Sequence, residues 1–126
     1  MVKFTIPYPV QQKERTAFFR RFGLNSIYAG KHWSARKRDA DEWHWIVRKA
    51  LLDGHVPQKM LRWPVRMVFR WDDRLDIDNH ALMGKLTVDA LKGYLLPDDS
   101  RRYYKCVIHE FWNGGCIEVE VWEMEE

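Results

Sequence analysis

The chain has 126 residues, 46% of them hydrophobic, and a formal net charge of +3. That length suits a single domain over residues 1–126, with two packed layers around one core. No stretch approaches the roughly 20 apolar residues that span a bilayer, and "MVKFTIPYPVQQKE" lacks the charged-then-apolar pattern of an export signal. A cytoplasmic protein is the expectation. The charge is uneven: residues 1–75 hold 16 Lys/Arg against 7 Asp/Glu, and residues 76–126 hold 5 against 11. A basic front half is either an ordinary solvated surface or the footprint of a polyanion.

The β-formers of "KFTIPYP" predict a first strand, Lys3 to Pro9, ended by its prolines. The segment to His32 has little periodicity and predicts a long loop with a short helical turn over Arg15–Phe22. Ser34 offers an N-cap for a helix in which Trp43, Ile46, Val47, Ala50 and Leu51 share one face. Gly54 is a candidate C′ residue, and Pro57 stops any continuation. Arg36, Lys37 and Arg38 load the first turn of that helix with positive charge against its macrodipole. This hints at an anionic ligand, although Asp39, Asp41 and Glu42 partly compensate.

Val65, Met67, Phe69 and Trp71 alternate through a second strand, Pro64 to Asp73. A helix over Asn79–Leu95 follows, with Ala81, Leu82, Leu86, Ala90 and Leu91 toward the core. "RYYKCVIHEF" and "CIEVEVWEME" flank "WNGG" and predict a β-hairpin. About that turn Cys106 and Cys116 lie apart, so two free, packed thiols are expected rather than a disulfide or a zinc site. The order β-α-β-α-β-β makes an α/β (α+β) domain with a mixed sheet packed on two main helices.

Five aspartates fall between Asp76 and Asp99, in "DIDNHALMGKLTVDALKGYLLPDD". Asp76 and Asp78 project to the same side of an extended backbone. Their repulsion is offset by a bound Mg²⁺ or Mn²⁺, or Asp78 caps the helix and Asp76 is merely solvated. Lys85 and Asp89 lie seven and eleven positions past Asp78, near one helical face, or form only a surface ion pair. A strand pairing beside the second one would bring Asp98 and Asp99 close. Carboxylates, a cation and a lysine beside a basic surface make a phosphoryl-transfer composition.

The Asp-x-Asp-Asn, the helical lysine, the "DALKG" and the closing Asp-Asp together resemble the signature of the RusA family of Holliday junction resolvases, found in bacteria and phages. "IPYP" and "NSIY" extend the likeness along nearly the whole chain. The resemblance implies a Mg²⁺-dependent endodeoxyribonuclease, with Mn²⁺ substituting, that cuts four-way DNA junctions as a homodimer. It implies Asp76 and Asp78 as the metal pair, Asp99 as a third catalytic carboxylate beside Asp98, and Lys85 as the functional lysine. The lysine follows the second Asp by seven residues, where the family pattern has four, and Asn25 lies farther past the prolines than in that pattern. Arg15, Arg20, Arg21, Lys31, Arg36, Lys37, Arg38 and Lys85 are candidates for backbone contacts to branched DNA. His32 and Trp33 either stack on DNA or anchor the loop. Rival expectations are a branched-DNA binder without turnover and a nuclease for flaps or forks.

Overall fold

A computed structural model describes residues 1–25 and 30–125. It holds β1 (Val2–Pro7), α1 (Gln12–Phe22), α2 (Trp33–Asp53), β2 (Val65–Trp71), a 3-10 turn (Ile77–His80), α3 (Ala81–Leu91), β3 (Tyr104–Phe111) and β4 (Cys116–Glu123). The four strands form one mixed sheet in the order β1-β4-β2-β3. β2 runs parallel to β3 and antiparallel to β4, which is antiparallel to β1. The class is α+β, as expected. No helix among the described residues is long and apolar enough to cross a membrane.

The core lies on one face of the sheet. Alternation in β1, β2 and β4 turns Phe4, Ile6, Met67, Phe69, Trp71, Ile117, Val119 and Val121 inward, all 3% exposed or less. Trp43 of α2, fully buried, fills the centre. Its indole N–H donates to Thr87 Oγ1 at 3.0 Å, and that hydroxyl donates to Met83 O at 2.7 Å. A polar handle deep in the core is thus fully hydrogen-bonded and ties α2 to α3.

α1 is a full eleven-residue helix where a loop with one turn was expected. Its apolar signal is one turn wide: Phe18 and Phe22 reach Trp43 at ring separations of 5.5 and 4.9 Å, and Phe18 meets Tyr8 edge-on. Tertiary packing, not amphipathic period, specifies it. The N-cap of α2 is His32, whose Nδ1 accepts from the Ser34 backbone N–H at 3.2 Å, so Ser34 is not the cap. At the other end Gly54 has φ −84°, and the left-handed position belongs to His55 at φ 56°.

α3 begins after the 3-10 turn and stops at Leu91, short of Leu95. Its buried face is Met83, Thr87, Val88, Ala90 and Leu91, whereas Ala81 is exposed and Leu82 and Leu86 are half-buried. Gly84 lets α3 approach the sheet: a Cβ there would stand 2.9 Å from His109 Cε1.

β3 and β4 do not form a hairpin. β2 lies between them, and residues 112–115 cross over its end. The Trp112 N–H donates to Trp71 O at 3.1 Å and the Gly115 N–H to Asp72 Oδ2 at 2.7 Å. The glycines that suggest a tight turn serve this crossing. Gly115 has φ +78°, and a Cβ on Gly114 would meet the Trp112 ring at 2.3 Å. The strand order follows from burial: β2 has five of seven residues buried and must be flanked on both sides. Cys106 and Cys116 are free thiols, as expected, although the hairpin that motivated this is absent.

The open face of the sheet carries an ion network. Arg70 pairs with Glu110, Glu118 and Glu120 at 2.7–2.9 Å, and its side chain covers the two glutamates of β4. These are therefore buried, at 8% and 7% exposure, although they lie on the polar side.

Candidate acidic turn and nucleic-acid groove

β2 delivers the chain to Asp72 and Asp73. The Asp73 carboxylate is fully buried and accepts from the Tyr8 hydroxyl at 2.7 Å, the Leu75 N–H at 3.0 Å and His80 Nε2 at 2.8 Å. The other ring nitrogen of His80 lies 3.0 Å from Ile77 O, and its ring packs 4.4 Å from that of Trp71. Burial alone would raise Asp73, but the hydrogen bonds from His80 and Tyr8 outweigh it and hold the carboxyl below its ordinary range. Burial, then Asp73, pushes the Tyr8 phenol far up. Asp73 thus fixes the end of β1, the end of β2 and the 3-10 turn to one another.

That hub holds Asp76 and Asp78 outward, both exposed. Asp76 is the N-cap residue of the 3-10 turn without a side-chain cap bond, and the N-cap of α3 is His80, so Asp78 does not cap the helix. Asn79 faces the other way: its backbone carbonyl accepts from the Leu24 N–H and its Oδ1 from the Asn25 N–H, each at 3.0 Å. The two asparagines of the motif are thereby neighbours, despite the longer spacing of Asn25 from the prolines. Tyr28 of "NSIY" lies outside the described residues.

One turn past Asp78 a groove of about 380 Å³ opens along α3, lined by Leu82, Lys85 and Leu86 of α3, by Trp33, Arg36, Lys37 and Asp39 of α2, and by Arg21 and Lys31. Five of the expected DNA contacts converge here. Two are bound to a buried carboxylate. Asp39, 9% exposed, is paired with both Arg21 and Lys31, and Arg21 also binds Glu42. Burial would raise Asp39, but Lys31 and Arg21 outweigh it and lower its pKa. Lys37 and Lys85 make exposed i,i+4 pairs with Asp41 and Asp89 at 3.2 and 3.1 Å, weak enough to exchange for a phosphate. Trp33 is 65% exposed and meets the His32 ring at 5.7 Å, so His32 both caps α2 and touches the tryptophan. Arg15 lies elsewhere, 5.0 Å over the Tyr8 ring, in a depression shared with Arg74 and Leu75. Arg20 and Arg38 are exposed and line neither cavity.

Asp98 and Asp99 do not join Asp76 and Asp78. Because β2 and β3 are parallel, Tyr104 pairs beside Val65 and Phe111 beside Trp71. Asp99 precedes β3 and so belongs to the Val65 end, while Asp76 follows β2 at the Trp71 end. Six residue steps at ~3.3 Å put these ends about 20 Å apart. Asp99 instead binds Lys92 at 3.0 Å; Lys92 binds Asp89, and Asp89 binds Lys85. The Lys92 ammonium lowers the Asp99 carboxyl. Among the described residues, no group of three or more His, Cys, Asp or Glu is arranged to hold a metal ion.

Tyr8, Asp73 and His80 are absent from the sequence expectations, although Asp73 and His80 flank the aspartate pair. Their signal is faint: an acid at a strand end and a histidine seven residues on. Compared with family models and with curated proteins, the chain matches none.

Proposed function

We propose that the chain is a divalent-cation-dependent endonuclease acting on branched DNA, with a four-way junction as substrate and a homodimer as the working form. The observation that carries the reading is the basic groove opening one turn past two exposed aspartates that have no ion pair among the described residues. The resemblance to the RusA family adds the substrate and the dimer. Two equivalent sites on a two-fold dimer suit paired cuts in a junction of approximate two-fold symmetry.

Asp76 and Asp78 would hold Mg²⁺ or Mn²⁺. Magnesium is commonly held by one or two carboxylates together with substrate phosphates and waters, so two aspartates are a sufficient protein share. When bound, the ion would activate water and neutralise charge on the phosphate. Arg36, Lys37 and Lys85 bind the backbone. Trp33 offers a face for an unstacked base. Asp73, His80 and Tyr8 orient the acidic turn from beneath and do not touch substrate. Asp99, the third carboxylate implied by the resemblance, has no direct role at this ion within one chain.

The test is cleavage of a synthetic four-way junction in Mg²⁺. Asp78→Asn abolishes cutting and leaves junction binding largely intact. Cutting by that variant ends the proposal. A second reading, a branched-DNA binder without turnover, is favoured by the placement of Asp99 and the aspartate pair at opposite ends of the β2–β3 pair. Under it, no Mg²⁺ or Mn²⁺ concentration produces nicks in junction, fork, flap or linear duplex.

A further inference from the structure

The parallel pairing of β2 and β3 sets their first residues side by side, with the Val65 N–H donating to Tyr103 O at 2.8 Å. This joins two sequence segments some forty residues apart. Arg62 and Trp63 enter β2, while Arg101, Arg102, Tyr103 and Lys105 enter β3. Together they line a depression of about 610 Å³ in which, among the described residues, no lining residue is a carboxylate. Arg62 stands 5.2 Å over the Trp63 ring and Arg102 5.4 Å over the Tyr103 ring. Arg62, Arg101 and Arg102 are exposed and form no ion pair among the described residues. The carboxylate of Glu123 lies beside it, its Oε2 accepting from the Trp63 backbone N–H at 3.0 Å.

Three arginines crowded into one concavity repel one another, and among the described residues none of the three has an ion pair to offset that. A chain of phosphates offsets it. The two aromatic rings add what a simple anion would not use: flat faces, already flanked by guanidinium groups, on which unstacked bases can lie. We infer that this depression is a second nucleic-acid contact, for a single-stranded segment, at the opposite end of the sheet from the groove beside Asp78. The inference rests on the proposed branched-DNA reading and extends it to branch points at which a strand is unpaired next to duplex.

The experiment measures fluorescence anisotropy of a labelled oligothymidine and of a matched duplex over a series of salt concentrations. It compares the intact chain, the variant R62A/R101A/R102A and the groove variant R36A/K37A, with circular dichroism to confirm folding. Removing three phosphate contacts is expected to flatten the log–log salt slope for the single strand by about 2, at ~0.7 per contact. Trp63→Ala is expected to weaken oligothymidine binding about tenfold and duplex binding much less, while Trp63→Phe keeps most of the affinity. If R62A/R101A/R102A binds oligothymidine with the parent slope and affinity while R36A/K37A loses DNA, the depression is no contact and the branched-DNA reading stands. If the intact chain binds no DNA of either form, both fail.

Discussion

The two ends of α3 carry the same kind of residue and use it in opposite ways. At the Trp71 end, Asp73 is buried and committed to Tyr8 and His80, while Asp76 and Asp78 are exposed and have no ion pair among the described residues. At the Val65 end, Asp99 is matched by Lys92, whose ammonium also serves Asp89. A buried carboxylate that organises a turn holds the neighbouring ones outward. An exposed carboxylate with its own lysine has no charge left over. Counting aspartates in a sequence does not separate these cases; their neighbours do.

The sharpest way to break that contrast is Asp73→Ala. It leaves His80 and Tyr8 without a buried partner and should cost about 3–5 kcal/mol, read as a lower denaturant midpoint. Asp78→Asn, on the exposed side of the same turn, should stay within about 0.5 kcal/mol of the parent. The acid limb tests the same residue. The folded Asp73 carboxyl titrates below its unfolded value of ~3.9. Its stabilisation is therefore present above that unfolded value and is lost as pH falls toward the folded one. Unfolding curves from neutral to strongly acidic pH should show a shallower acid loss in Asp73→Asn than in the parent.

Next in size is Gly84→Ala, which drives a Cβ against His109 and should cost about 1–3 kcal/mol by overpacking, measured by thermal unfolding. Lys92→Ala should change stability by no more than about 0.5 kcal/mol, since the pair is exposed, while the Asp99 carboxyl moves back up in an NMR titration. The smallest expected effect is on the cation. Asp99→Asn should leave Mn²⁺ affinity unchanged, because Asp99 enters at the opposite end of the β2–β3 pair and is matched by Lys92, whereas Asp76→Asn should lower it clearly. A drop of equal size for Asp99→Asn in titration calorimetry would erase the distinction between the two ends.

Much of the local structure was legible in the sequence. The inward sets of β2 and β4 and the core face of α2 appear as periodicity, because burial on one side is written into every second or every third and fourth residue. What was not legible depends on partners distant in sequence. "WNGG" reads as a hairpin turn, and nothing within it reveals that Gly115 reaches Asp72 across a strand. The error carried into the site. With the strand after α3 parallel to β2, Asp98 and Asp99 enter at the far end rather than beside Asp76. The groove fared better: Arg36, Lys37 and Lys85 were expected to bind polyanion, and they share one cavity. Arg62 and Arg101 were invisible as a pair, since only the β2–β3 register unites them.

The sheet order also governs when this protein can fold. β1, the first strand made, has one partner, and it is β4, the last: Val2 lies opposite Val121. β2 waits for the same strand on one side and for β3 on the other. Until the chain has been made past residue 123, no three-stranded sheet can close and the apolar face of β2 has incomplete cover. Such non-local closure is slow and leaves strand edges open to the wrong partners. A nascent chain that does not yet include β4 would present helices and a loose β2–β3 pair rather than a nearly finished domain.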